Sequence, residues 1–245
     1  MILSMSTDGK RIAMSEGARD RNSGLVRVYQ YSSEGEGKWG QIGDDVGRSG
    51  PDDGFGYSMS LSANGNRIVV GRPMRQSGSV MVFDLIEDNE GNQSWKEFGR
   101  PIKGLDGDEY KGKNAWSISL SADGEKLAIG SDFDNNEGVV RVFELKRDGE
   151  KWDDLGEFIP GGARMVSLSS TGNELAVATP LMGLVRMLKY EQGEWVETGR
   201  MKDGEGGEMD LRSHTISLSG DGESLTVGSP RLMDENGLVR VFHGS

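Results

Sequence analysis

The sequence predicts an all-β chain, a five-bladed β-propeller of four-stranded antiparallel blades whose last blade has three strands. Three observations carry that prediction. A strand, tight turn, strand unit recurs five times, at MSTDGKRIAMS from Met5, LSANGNRIVVG from Leu61, LSADGEKLAIGS from Leu120, LSSTGNELAVAT from Leu168 and LSGDGESLTVGS from Leu218. A tryptophan followed four residues later by glycine recurs four times. No stretch of a dozen residues has helical period, whereas apolar and polar residues alternate along the repeated segments.

The repeat sets the order of elements. Its turn glycines are Gly9, Gly65, Gly124, Gly172 and Gly222, which lie 56, 59, 48 and 50 residues apart by subtraction. A period near that length built of short strands is a blade-type repeat. After each turn comes an apolar strand (11–15, 67–71, 126–130, 174–178, 224–228), and after a loop of variable length a third one (25–29, 79–83, 139–143, 184–188, 238–242). Trp39 with Gly43, Trp95 with Gly99, Trp152 with Gly156 and Trp195 with Gly199 mark a fourth, outermost strand, absent from the fifth copy. The expected organisation is one domain over 1–245, with repeats at about 1–55, 56–114, 115–163, 164–212 and 213–245. Arg27, Arg141 and Arg240 face opposite to the valines beside them, and a stack of each arginine on a neighbouring tryptophan is expected. Met5, Met14, Met59, Met81 and Met187 stand where other copies carry Leu, Val or Ile, so they are expected to fill the core.

Composition narrows the function. With 28 basic against 40 acidic residues the formal net charge is −12, which disfavours nucleic acid and anionic membrane and favours a protein partner with a basic surface. No apolar run reaches the length of a transmembrane helix. Without cysteine there are neither disulfides nor thiolate metal sites. Two histidines, His214 and His243, leave little material for a Ser-His-Asp site, and glycine runs such as 204–208 lack the context of a phosphate loop. No catalytic or cofactor-binding residue is assigned.

The stretch Gly56 to Gly71, which opens GYSMSLSANG and whose first residue forms the Phe55-Gly56 dipeptide, and its partners at Ser117 to Phe143 and Ser217 to Phe242, resemble the FG-GAP-like repeats of secreted, surface and algal proteins, and more distantly the integrin α-subunit propeller. The resemblance implies a propeller and an extracellular, cell-surface or organelle-lumen setting. It also implies a non-enzymatic interaction module, either a surface binding domain or a peripheral scaffold subunit of a larger assembly such as a photosynthetic membrane complex. The alternatives are a glycan-binding or glycan-cleaving five-bladed propeller and a calcium-stabilised adhesion domain. Asp132, Asp134, Asn136 and Glu137 come nearest to the alternating acidic loop that Ca²⁺ requires. For a partner, the loop residues Asp106, Asp108, Glu109 and Tyr110 depart most from the repeat, Trp116 alone among the tryptophans precedes an inner strand, and Val239 and Val241 lie on a strand with a free edge.

Overall fold

The computed structural model describes residues 1–16, 24–33, 37–48, 53–73, 78–104, 113–132, 138–146, 151–161, 164–179, 183–202, 215–229 and 238–243. The fold is an all-β, five-bladed propeller of antiparallel blades, the last with three strands. Blade 1 contains β1 (Ile2–Met5), β2 (Arg11–Glu16), β3 (Leu25–Ser32) and β4 (Lys38–Gln41), in that spatial order, with the short β5 (Gly47–Arg48) also paired to β3. Blade 2 repeats the plan with β6 (Met59–Leu61), β7 (Arg67–Arg72), β8 (Ser79–Glu87), β9 (Gln93–Glu97) and β10 (Ile102–Lys103). Blade 3 has β11 (Lys113–Leu120), β12 (Lys126–Asp132), β13 (Val139–Lys146), β14 (Lys151–Asp154) and β15 (Ile159–Pro160). Blade 4 has β16 (Met165–Leu168), β17 (Glu174–Thr179), β18 (Leu184–Glu191) and β19 (Glu194–Lys202), and blade 5 ends with β20 (Thr215–Leu218), β21 (Ser224–Ser229) and β22 (Leu238–His243). Two compact units divide the chain, Met1–Ala115 with Leu145–Trp152 and Trp116–Glu144 with Asp153–Ser245.

The turn between the first two strands of a blade is built the same way each time. In blade 1 the Ser6 hydroxyl donates to Asp8 Oδ1 at 2.7 Å and accepts from the Arg11 amide at 2.9 Å, while Asp8 Oδ1 also accepts from the Lys10 amide. Such side-chain bonds to nearby backbone hold an Asx-type turn. Ser62 with Asn64, Ser121 with Asp123, Ser169 with Thr171 and Ser219 with Asp221 reproduce it. The following glycine has a φ between 66° and 78° in all five copies, a conformation that disfavours any side chain.

The Trp-x-x-x-Gly strand is present but interrupted. In the first three blades its glycine takes a positive φ of 65° to 79°, so the outer strand breaks there and a second short piece rejoins the third strand. In blade 4, Gly199 is not of this kind; β19 runs through, with the register shifting opposite Met187 and Leu188 instead.

That glycine also explains the motif's spacing. The indole of Trp95 donates to the Ile42 carbonyl of blade 1 at 3.1 Å, and a Cβ added at Gly43 would meet Trp95 Cδ1 at 3.0 Å. Trp195 donates to the Leu155 carbonyl of blade 3 at 2.8 Å, and a Cβ at Gly156 would meet its Cδ1 at 3.1 Å. Each of these tryptophans therefore seats on the glycine that closes the motif of the preceding blade. The indole nitrogen of Trp152 is buried with no hydrogen-bond partner among the described residues. Trp39 is exposed and tilts against Tyr31, their ring centres 5.5 Å apart.

The core lies between blades. Val26 and Val28 on the third strand of blade 1 share a buried cluster with Met59, Leu61, Ile68 and Val70 on the first two strands of blade 2. Val140 and Val142 do the same with Val166, Leu168, Leu175 and Val177 of blade 4, and Val185 with Leu218, Leu225 and Val227 of blade 5. One methionine departs from its expected place: Met59 is buried and Met14, Met81 and Met187 are partly so, but Met5 is exposed. The repeat position alone therefore does not bury a residue.

Candidate functional site

A polar cluster in the first unit surrounds the entry to blade 2. Asp53 is a buried carboxylate whose Oδ1 accepts from the Phe55 amide at 3.1 Å, closing a short turn onto Phe55. Phe55 is itself buried and stands edge-on to Phe83, with ring centroids 6.3 Å apart at 90°. The other Asp53 oxygen lies 3.6 Å from Nη1 of Arg72, the last residue of β7, whose Nε donates to the Ser79 hydroxyl at 3.3 Å. Ser58, also buried, donates to the Ala115 carbonyl at 2.7 Å, and Ala115 adopts a φ of 66° inside β11. A left-handed non-glycine residue within a strand is a strained position of the kind that gathers at functional sites. The cluster thus combines a carboxylate, a guanidinium and hydroxyls at the end of β7 and the start of β8.

Asp53 and Arg72 escaped the sequence reading. Their only signal was negative: GRP at 71–73 stands where the other copies have GS, AT or SE, and PDDG at 51–54 has no counterpart in the repeat. A difference from a repeat identifies a departure without naming its partner.

The arginine column behaves differently from its expectation. Arg141 donates through Nε and Nη2 to both oxygens of Asp154 at 2.9 and 2.8 Å, a two-pronged pair. Its aromatic neighbour is Phe143 on its own strand, 4.6 Å from ring centre to guanidinium carbon, and not a tryptophan. Two residues along a strand share a face, so the nearer ring wins. Arg27 bonds Asp45 at 2.8 Å, and the Asp45 partner raises its guanidinium further above the ordinary arginine value. Among the described residues Arg186 forms no ion pair: its Nη2 donates to the Pro160 carbonyl at 2.7 Å, its Nε is buried without a partner there, and burial lowers its pKa from the ordinary value.

The sequence-predicted site residues are not brought together among the described residues. Asp134, Asn136 and Glu137 lie outside them, and Asp132 is described only as the backbone end of β12. Asp106, Asp108, Glu109 and Tyr110 also lie outside, and Trp116 is described only as backbone of β11. No cluster of three or more His, Asp or Glu suited to a metal occurs among the described residues. Val239 and Val241 are described, on β22, and both are exposed. No helix among the described residues is long and apolar enough to cross a membrane.

This geometry places the chain in the β-propeller class of folds, which solved structures bear out. A protein from Lactobacillus plantarum aligns over 99% of this chain and 66% of its own at TM-score 0.62 and 15% identity. A Bacteroides fragilis protein provisionally named a 6-phosphogluconolactonase aligns over 98% of this chain and 66% of its own at TM-score 0.61 and 20% identity. The periplasmic gluconolactonase of Pseudomonas aeruginosa aligns over 98% of this chain and 64% of its own at TM-score 0.59 and 18% identity. This chain thus spans just under two thirds of the length of each. No family model matches the chain, and no curated protein does.

These neighbours correct the expectation of a non-enzymatic interaction module. That expectation rested on scarce histidine and on the habits of FG-GAP-like propellers, whereas two of the neighbouring propellers carry the names of lactone hydrolases. Carboxylates and guanidinium groups can move protons and hold developing charge without histidine. Scarcity of histidine therefore excludes nothing here.

Proposed function

We propose that the chain is a hydrolase of the propeller type acting on a sugar lactone, with the entry to blade 2 as its reactive end. The observation that carries this reading is the alignment of 98% of the chain with propellers named as gluconolactonase and 6-phosphogluconolactonase. In such a reaction water adds to the lactone carbonyl, the ring C–O bond breaks, and the ring oxygen leaves as a hydroxyl after taking up a proton. Asp53 is the group assigned to accept the proton of the attacking water. Arg72, whose Nη1 stands beyond direct hydrogen-bond distance of Asp53, is assigned to the oxyanion.

Charge supports an unphosphorylated lactone as the substrate. The chain has a net charge of −12, and Arg27, Arg67, Arg72 and Arg141 all face carboxylates, which disfavours a substrate phosphate. The FG-GAP-like character of the repeat belongs to the same proposal and rests on Phe55, Gly56 and the five Ser-flanked turns.

The test is acid release from δ-gluconolactone and from its 6-phosphate, followed by pH-stat against the spontaneous rate. The neutral lactone is expected to turn over faster, and Asp53→Asn to lower kcat by about 100-fold, the usual size of a lost general base. Hydrolysis of neither lactone above the spontaneous rate would overturn the proposal.

A further inference from the structure

One position of the repeat is treated differently in blade 4. In blades 1 and 3 the arginine in the middle of the third strand faces a carboxylate from the outer segment of its own blade. Arg27 bonds Asp45 at 2.8 Å, and Arg141 holds both oxygens of Asp154 along its Nε and Nη2 edge at 2.9 and 2.8 Å. Arg186 is the corresponding residue of blade 4, and Glu197, two residues before the motif glycine as Asp154 is, stands where its partner belongs. That carboxylate is taken by another cation. Arg200 binds both Glu197 oxygens through its Nε and Nη2.

The pairing of β18 with β19 explains the diversion. Arg186 lies directly opposite Arg200, so the two guanidinium groups leave the same face of the sheet, an arrangement that strand pairs ordinarily avoid. The register then shifts between Met187 and Leu188, and Glu197 falls opposite Leu188. What Arg186 keeps is neutral. Its Nη2 donates to the Pro160 carbonyl at 2.7 Å, beside Gly161, where an added Cβ would meet that nitrogen at 3.3 Å. Its Nε is buried with no hydrogen-bond partner among the described residues. Burial, the largest influence, lowers the Arg186 pKa; Glu197 pulls the other way, and Arg200 lowers it again. The edge that clasps Asp154 in blade 3 is thus half filled in blade 4, by an uncharged acceptor, and a buried donor left unmade on a charged group is costly.

We propose that this edge of Arg186 is a binding site for a small carboxylate ligand, which takes Nε and Nη2 as the two oxygens of Asp154 do in blade 3, while Glu197 stays on Arg200. Carboxylate is the class because the same edge, at the same strand position, already holds one side-on in this molecule. The exchange is favourable atom by atom. Nη2 gives up a neutral acceptor for a charged one, Nε gains the acceptor it lacks, and the carbonyl of Pro160, an exposed residue, passes to water. Every group named in blades 3 and 4 lies in the second compact unit, apart from the Asp53 and Arg72 cluster, so the site stands or falls independently of lactone hydrolysis.

The Arg186 Nε–H resonance in a nitrogen–proton correlation spectrum reads the site directly, assigned by its loss in Arg186→Lys. Titration of the whole chain with acetate, at ionic strength held constant with chloride, is expected to move that resonance downfield to saturation in the millimolar range. Arg200→Gln releases Glu197 to Arg186, so the resonance should start near the bound position and no longer respond to acetate. Arg200 is exposed, and this displacement supplies the assignment if Arg186→Lys fails to fold. Glu197→Gln, which removes the competing negative charge, is expected to bind acetate about tenfold more tightly. No shift up to about 100 mM acetate overturns the proposal, as does an Arg200→Gln chain that responds like the wild type or a Glu197→Gln chain of unchanged affinity. A shift with inorganic phosphate and none with acetate overturns the carboxylate assignment.

Discussion

β18 of blade 4 and β22 of blade 5 carry nearly the same words, LVRML and LVRVF, in opposite environments. Val185 is buried against Leu218, Leu225 and Val227, while Val239 stands in solvent. Within the sheet both strands make the same antiparallel ladder to the preceding strand. What separates them is supplied by a different blade. A strand's residues specify its hydrogen bonding and its two faces, but the neighbour fixes what those faces do.

The tryptophans sharpen this contrast most. Trp195 is seated on the blade 3 glycine with its nitrogen bonded, whereas Trp39 carries the same motif in solvent. Trp195→Ala is expected to cost about 3–5 kcal/mol in urea unfolding and Trp39→Ala less than about 1 kcal/mol. Equal losses would mean that the motif, not its seat, holds the strand. The receiving glycine comes next. Gly156→Ala, at a φ of 79° and against Trp195, is expected to cost about 2 kcal/mol, and Gly40→Ala, with open space around it, to change stability by less than about 0.5 kcal/mol.

The serine ladder gives a smaller separation. Ser167→Ala leaves the Leu218 amide without its acceptor and is expected to cost about 1 kcal/mol or somewhat more, against no measurable change for Ser217→Ala. The smallest effect is in the turns. Asp8 and Asp221 have pKa values lowered first by the hydroxyls of Ser6 and Ser219 and then by backbone amides. A carboxylate whose folded pKa is depressed contributes stability above its unfolded pKa and loses it as pH falls through the folded value. The stability gap between wild type and Asp8→Asn should therefore close on acidification below the ordinary aspartate range. Asn64→Ala, at the blade 2 turn where a neutral amide stands in the carboxylate's place, should show a gap that does not move with pH; equal pH dependence in both would remove the carboxylate from the account.

Much of this was legible in the sequence. Five Ser-flanked turns, the four outer tryptophans and the missing fifth were read as blades, and the blades are there. The interruption of the outer strand at Gly43, Gly99 and Gly156 was not read, because a glycine spacing gives no sign of φ. Met5 was assigned to the core because a repeat position looks alike whether or not another blade covers it. Asp45 and Asp154 were missed as the partners of Arg27 and Arg141, since an ion pair between a strand and the segment beside it leaves no period in the sequence. Asp53 and Arg72 meet only when the entry to blade 2 folds back onto the end of β7. The acidic loop 133–137 and the non-repeating stretch 105–112, where calcium and partner residues were expected, lie outside the described residues.

The seats of Trp95 on Gly43 and of Trp195 on Gly156 have a consequence for how such a chain changes length. Each couples two successive blades, blades 1 and 2 and blades 3 and 4, through a glycine from the earlier and an indole from the later. A gene segment encoding such a pair, duplicated in tandem, carries both halves of its seat with it, while an insertion that parts the pair leaves an indole without its glycine.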